Sequence, residues 1–169
     1  WEGSFPLAGA LREQLGPPVS LGNDVNVATM AEFHLGSGQP YSSLLGVFWG
    51  TGVGGGVVLD GKLWLGRDAA GEIGHMVVKV GGAKCPCGRH GCMEAYAGRG
   101  AMETRARERV DDGHKTVLFE IMEERGKPRL SSGIWARALE RDDKLAHHLI
   151  DRAVHAIGVG VASSLNLLD

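Results

Sequence analysis

The sequence predicts a soluble fold of mixed helix and strand, α/β or α+β, and three observations carry that reading. Apolar runs of strand type occupy the middle of the chain, and helical patterns flank them on both sides. The composition, 43% hydrophobic and 22% charged, is that of a globular protein. Glycine accounts for 27 of the 169 residues, and the glycines cluster between Gly46 and Gly100. Such density points to tight turns and to close approach of backbone to a ligand. A chain of this length suffices for one domain that buries roughly 70% of its unfolded surface. It starts at Trp1 and stops at "NLLD", inside an apolar helical pattern, so it reads as a segment of a longer protein. No apolar run approaches the ~18 residues that span a bilayer, and no signal peptide is visible. A net charge of −2 leaves no electrostatic footprint for nucleic acid.

The elements follow in order. "WEGSFPLAGALREQLGPPVSLGND" reads as a short helix, a Pro-Pro break and a brief strand ending near Leu21. Asn23 or Asp24 caps the next helix, "VNVATMAEFHLGSG", which ends at its Gly-Ser-Gly stop. "SSLLGVFW" is a buried strand by its apolar run. "VVLDGKLWL" is two short strands about an Asp60-Gly61 turn, a strong hairpin signal. "EIGHMVVKV" continues as strand. From Glu94 the pattern turns helical, with "EAYAGRGAMETRARERV" first and a polar stretch around Lys115 to Lys127 after it. "SSGIWARALERDD" is a helix capped by Ser131 or Ser132. "KLAHHLIDRAVHAIGVGVASSLNLLD" is the last helix, kinked or closely packed around Gly158 and Gly160. His148, Asp151, Arg152 and His155 share one of its faces and read as a solvated face. Trp49 and Trp64, beside the glycine loop, read as core or interface.

All three cysteines, Cys85, Cys87 and Cys92, lie in "KCPCGRHGC". An odd count leaves one thiol unpaired in any disulfide framework, and C-x-C neighbours make poor disulfide partners. A redox pair would read C-x-x-C, and this one does not. Metal binding remains, with zinc in a Cys₃His set as the best fit. The fourth ligand is His75, the nearest histidine upstream, or its rival His90 inside the loop. Gly88 and Gly91 suit a loop that must wrap its thiolates around an ion.

The glycine loop "GTGVGGG", Gly50 to Gly56, fits G-x-G-x-x-G at Gly50, Gly52 and Gly55. A Rossmann site requires a helix to open next, and a hairpin follows instead. Successive backbone N–H groups there can still cradle an anion, with the Thr51 hydroxyl as a further donor. Asp24, beside Asn23, stands at a strand-to-helix junction, where a carboxylate either caps or faces a cleft. Glu72 and Glu94 lie three before His75 and two after Cys92. A metal loop would hold both near one place and shape a polar pocket for a hydroxyl-rich ligand.

"GHMVVKVGGAKCPCGRHGCME" resembles the signature of the ROK family of bacterial-type sugar kinases and sugar-responsive repressors. The pattern is a Gly-His pair, about ten residues, then C-x-C-G-x-x-G-C-x-E. "NDVNVATMAE", "GTGVGGG" and "AAGEIGH" resemble the family's other blocks in the same order. The resemblance implies an actin-like (ribonuclease H-like), two-lobed ATPase fold, of which this chain is a partial segment. Residues 1–36 would be the end of the first lobe and an inter-lobe helix, and 37–169 the second lobe with its zinc loop, 75–92, and C-terminal helices. It implies a cytoplasmic, ATP-dependent hexose kinase acting with Mg²⁺ on glucose, with N-acetylmannosamine the next candidate, assembled as a homodimer or homotetramer. His75, Cys85, Cys87 and Cys92 would hold a structural zinc. Asp24 would be the general base, and Asn23, Gly52, Glu72, His75 and Glu94 would bind the sugar. Gly50, Thr51, Gly52 and Gly54 would face the nucleotide phosphates.

The same resemblance admits a sugar-sensing transcriptional repressor, with a DNA-binding helix-turn-helix upstream of Trp1. Family repressors often alter the Asn-Asp pair, which is intact here, and that favours the kinase. Two family features are missing from the chain: the N-terminal phosphate motif Asp-x-Gly-Gly-Thr and the part that closes over adenosine. The segment alone is therefore expected to be inactive.

Overall fold

The computed structural model describes residues 5–168. The start of the first predicted helix, at residues 1–4, and Asp169 lie outside the described residues. Helix α1, Leu7–Leu15, follows Pro6 and stops at Gly16, whose φ of 87° suits a residue without Cβ. The Pro17-Pro18 break comes next, but the stretch to Leu21 forms no strand. A strand needs a hydrogen-bonded neighbour, and the sheet described below does not reach this segment.

Helix α2, Asp24–Leu35, is capped by Asn23, whose side-chain oxygen accepts from the N–H groups of Val25 and Asn26 at 3.1 and 3.2 Å. That satisfies two donors that a helix start leaves orphaned. The helix lies on a three-stranded antiparallel sheet of order β1-β2-β3. Strand β1 is Leu44–Trp49, β2 is Val53–Leu59 and β3 is Lys62–Leu63. Leu44 pairs with Val58 and Trp49 with Val53 at the two ends of the first ladder. Asp60 and Gly61 form the predicted turn, with φ of 48° and 75° as a type I′ hairpin demands. Strand β1 is half-buried rather than buried, because burial concentrates on Val53, Val57 and Val58 of β2.

The expected glycine loop is shorter than Gly50–Gly56. Only Gly50–Gly52 turns, and Gly54, Gly55 and Gly56 belong to β2. Missing side chains at Gly54 and Gly56 make room for α2: Val25 presses against Gly54, and Thr29 against Gly46 and Gly56. Segment 73–80 is a second correction. It forms a 3₁₀ turn, Ile73–His75, and then a single bridge from Val77 to Cys92 instead of a strand. The turn packs under β2, with Ile73 against Gly55, so the chain is diverted before a ladder can form.

The helical half breaks at Gly98 into α3, Glu94–Ala97, and α4, Arg99–Asp111. Within the expected polar stretch lies a helix, α5, Leu118–Glu124, fixed by burial of Leu118 and Ile121. Helix α6 is Ser132–Glu140, preceded by Ser131, and α7 is Lys144–Leu168. Asp143 starts α7 by accepting the Ala146 N–H at 2.8 Å, and it also takes the Val117 N–H at 2.8 Å. Buried Leu145, Leu149, Ala153, Ala156, Gly160 and Ser164 recur along one face of α7 at helical spacing. Gly160 admits the Met93 side chain, whereas nothing crowds Gly158. Met93, Leu118, Ile121, Ile134 and Trp135 complete the core beneath the site.

Candidate functional site

The cysteine block folds into a small turn because Gly88 and Gly91 take φ of 89° and 83°. Lys84 pairs with His90, the Cys85 N–H bonds the Arg89 carbonyl at 2.8 Å, and Val77 pairs with Cys92. This brings His75, Cys85, Cys87 and Cys92 together, with one ligand atom from each within 4.8 Å of the others. Cys85 Sγ lies 3.6 Å from His75 Nδ1, and Cys87 Sγ lies 3.7 Å from Cys92 Sγ. Tetrahedral zinc with bonds of about 2.3 Å to sulfur has sulfur–sulfur edges of roughly 3.8 Å. The four residues fit the ion. His90 does not compete, because its Nδ1 faces the Gly82 carbonyl at 3.2 Å.

The three thiols differ in their surroundings. Burial pushes the Cys85 thiol up to about 12 and raises Cys92. The backbone N–H and guanidinium of Arg89 draw exposed Cys87 down to about 6. Two buried thiols that resist ionising alone become ligands when a divalent ion supplies the compensating charge. Among the described residues this is the only group of His, Cys and acidic side chains able to hold a metal. The His148, Asp151 and His155 face of α7 is not one; Arg152 there lies over the Tyr96 ring at 5.2 Å.

His75 looks two ways. Its Nδ1 faces Cys85, and its Nε2 lies 4.0 Å from Glu72 Oε2. Glu94 begins α3 two residues after Cys92, and its Oε2 accepts the Val53 N–H at 2.9 Å. Gly52 sits directly under that carboxylate, where any Cβ would collide with it. The Trp49 indole N–H donates to the Ala97 carbonyl, tying α3 to the end of β1. Thr51, Gly52 and Glu94 thereby open into one cleft of about 1300 Å³ with the metal-loop residues Lys79, Lys84 and Cys85.

Gly50 and Thr51 form the β1–β2 turn, and the Gly50 N–H is engaged by the Gly52 carbonyl at 2.9 Å. Gly54 lies opposite Phe48 within the sheet. Asn23 caps α2 through its side-chain oxygen, and one oxygen of exposed Asp24 accepts the Val25 N–H at 2.9 Å. Among the described residues no hydrogen bond or ion pair joins Asn23 or Asp24 to Glu72, His75 or Glu94. Sequence reasoning missed Arg99, which donates to Thr51 Oγ1 at 3.1 Å and to Ser132 Oγ at 2.6 Å. No sequence signal marked it, since its partners lie 48 and 33 residues away.

The whole chain, residues 1–169, matches the ROK family. The chain belongs to that family. It is 33% identical over 168 residues to a glucokinase of Thermotoga maritima, covering 98% of this chain and 52% of that protein. An N-acetylmannosamine kinase of Haemophilus influenzae is 32% identical over 166 residues, covering 98% and 50%. This ROK chain thus spans about half the length of the curated relatives it matches. A ROK glucokinase from Streptomyces griseus, solved with glucose and AMPPNP, superposes with a TM-score of 0.77 at 30% identity, covering 97% of this chain and 53% of that one. A ROK transcriptional regulator, described as a homolog of the E. coli MLC protein, superposes with a TM-score of 0.78 at 28% identity, covering 96% and 40%. The fold is the family's actin-like α/β fold. No helix among the described residues is long and apolar enough to cross a membrane.

Proposed function

We propose that the full-length protein is an ATP-dependent hexose kinase that transfers the γ-phosphate to a sugar hydroxyl, with the glucose 6-OH as acceptor. The observation that carries this reading is the two-faced His75, with one ring nitrogen toward the cysteines and the other toward Glu72. Metal ligation fixes the tautomer and orientation of an imidazole, so the second nitrogen is presented as a donor. Glu72, His75 and Glu94 then offer acceptors and a donor to vicinal hydroxyls. Asn23 uses its side-chain oxygen on α2 and keeps its amide N–H pair for the sugar. Zinc, held by His75, Cys85, Cys87 and Cys92, supplies fixed geometry and neutralises thiolate charge.

Asp24 is the general base in this reading. It takes the proton of the attacking hydroxyl as that oxygen bonds to the γ-phosphorus and the bond to the β-phosphate oxygen breaks. Phosphoryl transfer demands positioning and charge neutralisation more than a strong base, so an exposed carboxylate suffices beside Mg²⁺. In this reading Thr51 and Gly52 take the phosphate side of the cleft with Gly50 beside them in the turn, whereas Gly54, which packs against Val25 within the sheet, does not. Residues 1–36 are the end of the first lobe and the inter-lobe helix, and 37–169 form the second lobe. A cytoplasmic homodimer or homotetramer completes the proposal.

The test is ADP release by the full-length protein with ATP and Mg²⁺, against glucose, mannose, fructose, N-acetylglucosamine and N-acetylmannosamine. Turnover is expected on glucose and should fall by roughly 10²–10⁴-fold in Asp24→Asn, the range for a lost general base. The regulator likeness supports a second reading, a sugar sensor. Sugar binding without turnover on any of the five would favour it.

A further inference from the structure

The proposed phosphate turn, Gly50–Gly52, has fewer free donors than a glycine-rich loop suggests. The Gly50 N–H bonds the Gly52 carbonyl at 2.9 Å, and the Val53 N–H bonds Glu94 Oε2 at 2.9 Å. The start of α4 is engaged as well. The Arg99 N–H reaches the Gly50 carbonyl and the Gly100 N–H the Thr51 carbonyl, each at 3.3 Å. Of the turn's own amides only the Thr51 and Gly52 N–H groups remain for an anion; two neutral donors do not balance a phosphate's charge, and a cationic side chain would add what they lack.

Arg99 is that side chain. It is half-buried, its Nη2 donates to Thr51 Oγ1 at 3.1 Å, and its Nη1 donates to Ser132 Oγ at 2.6 Å. None of the ion pairs among the described residues includes it; both of its partners are neutral hydroxyls. A hydroxyl that accepts from a guanidinium still holds its own proton, so Thr51 is presented as a donor. A guanidinium has five N–H donors, and two directed bonds leave others for an anion.

We propose that Arg99 is a nucleotide-phosphate residue. It orients the Thr51 hydroxyl as a donor and supplies a cation beside the turn to the phosphate oxygens of MgATP. This rests on the kinase reading above. Its chemistry is that of an arginine stabilising charge on phosphate oxygens, set in cis beside the turn.

The full-length protein tests it through Arg99→Met, Arg99→Lys and Ser132→Ala. Calorimetry gives the dissociation constants for MgADP and, separately, for glucose, while steady-state kinetics give KM for each substrate. Arg99→Met should weaken MgADP and raise KM for MgATP by roughly ten- to a hundredfold, the range for one charge-assisted hydrogen bond. Glucose affinity, zinc content and melting temperature should stay at wild-type values. Arg99→Lys should recover part of the loss, and Ser132→Ala should show a smaller loss in the same direction. Unchanged nucleotide parameters in Arg99→Met would overturn the proposal, and so would parallel losses of glucose and nucleotide affinity, which mark a structural role. Wild-type protein that binds glucose but not MgADP would overturn the kinase reading itself, and Arg99 with it.

Discussion

Glu103 is a carboxylate almost out of water, 8% exposed at its side chain. Burial alone would raise its pKa. The Arg107 guanidinium at 2.8 Å and the Leu130 N–H at 3.0 Å, with Arg129 beyond, outweigh that and hold it below the usual carboxylate value. With a lower pKa folded than unfolded, the stabilisation is complete above the ordinary Glu range and drains away as pH falls through the folded value. Glu103→Gln should cost about 2 kcal/mol at neutral pH, the scale of buried charge-assisted bonds. Its acid unfolding arm should also be shallower than that of wild type. Melting temperature against pH for both proteins checks this, and parallel curves would remove Glu103 from the account of acid stability. None of it was legible in the sequence, where Glu103 sits in a helical run of mixed charge with nothing to mark which carboxylate is buried. The glycines of β2 misled for a related reason. Gly54 and Gly56 read as loop because composition cannot show that Val25 and Thr29 press against them from α2.

The cysteine loop was the most legible element, because three thiols and a histidine admit few chemistries at that spacing, and the four side chains do come together. Helix α2 and the Asp60-Gly61 hairpin were legible through local caps and turns, which owe nothing to distant partners. Segment 73–80 and α5 were not, since one is diverted under β2 and the other is held by Asp143 from across the fold. The loop is an ordering device for its neighbours. Its Ala83 N–H donates to the Tyr96 hydroxyl at 2.8 Å, and the Met93 N–H donates to the Met76 carbonyl at 2.9 Å. Those bonds tie α3, and with it Glu94, to the segment of His75, the proposed fourth ligand. Cys92 is fully buried and Cys87 is exposed. Cys92→Ser should therefore abolish zinc binding and lower the melting temperature more than Cys87→Ser, since structural zinc contributes directly to folding. Metal analysis and calorimetry on both variants decide it. A wild type that is folded and free of zinc would overturn the metal assignment.

Burial across the molecule is uneven. The core gathers between the helical half and β2, whereas α1 buries no residue, and Leu15, Leu21, Val27, Leu35 and Tyr41 are exposed. Exposed apolar side chains also occur elsewhere, at Val80 and Leu167 for example, but those on 15–41 flank α2, where the proposed two-lobed kinase would place its other lobe. The proposed mechanism has the same asymmetry. The proposed zinc ligands and the proposed sugar-binding residues lie within residues 1–169, while the Asp-x-Gly-Gly-Thr phosphate motif that the resemblance implies is not among them. Residues 1–169 produced alone should thus bind about one zinc and keep the cooperative core of α4–α7. They should also self-associate through the 15–41 surface and release no ADP above background with glucose and MgATP. Sedimentation velocity, metal analysis and the coupled assay, run beside the full-length protein, measure all of these together. A monomeric segment with full turnover would refute the two-lobe division, because one lobe would then suffice for both binding and transfer.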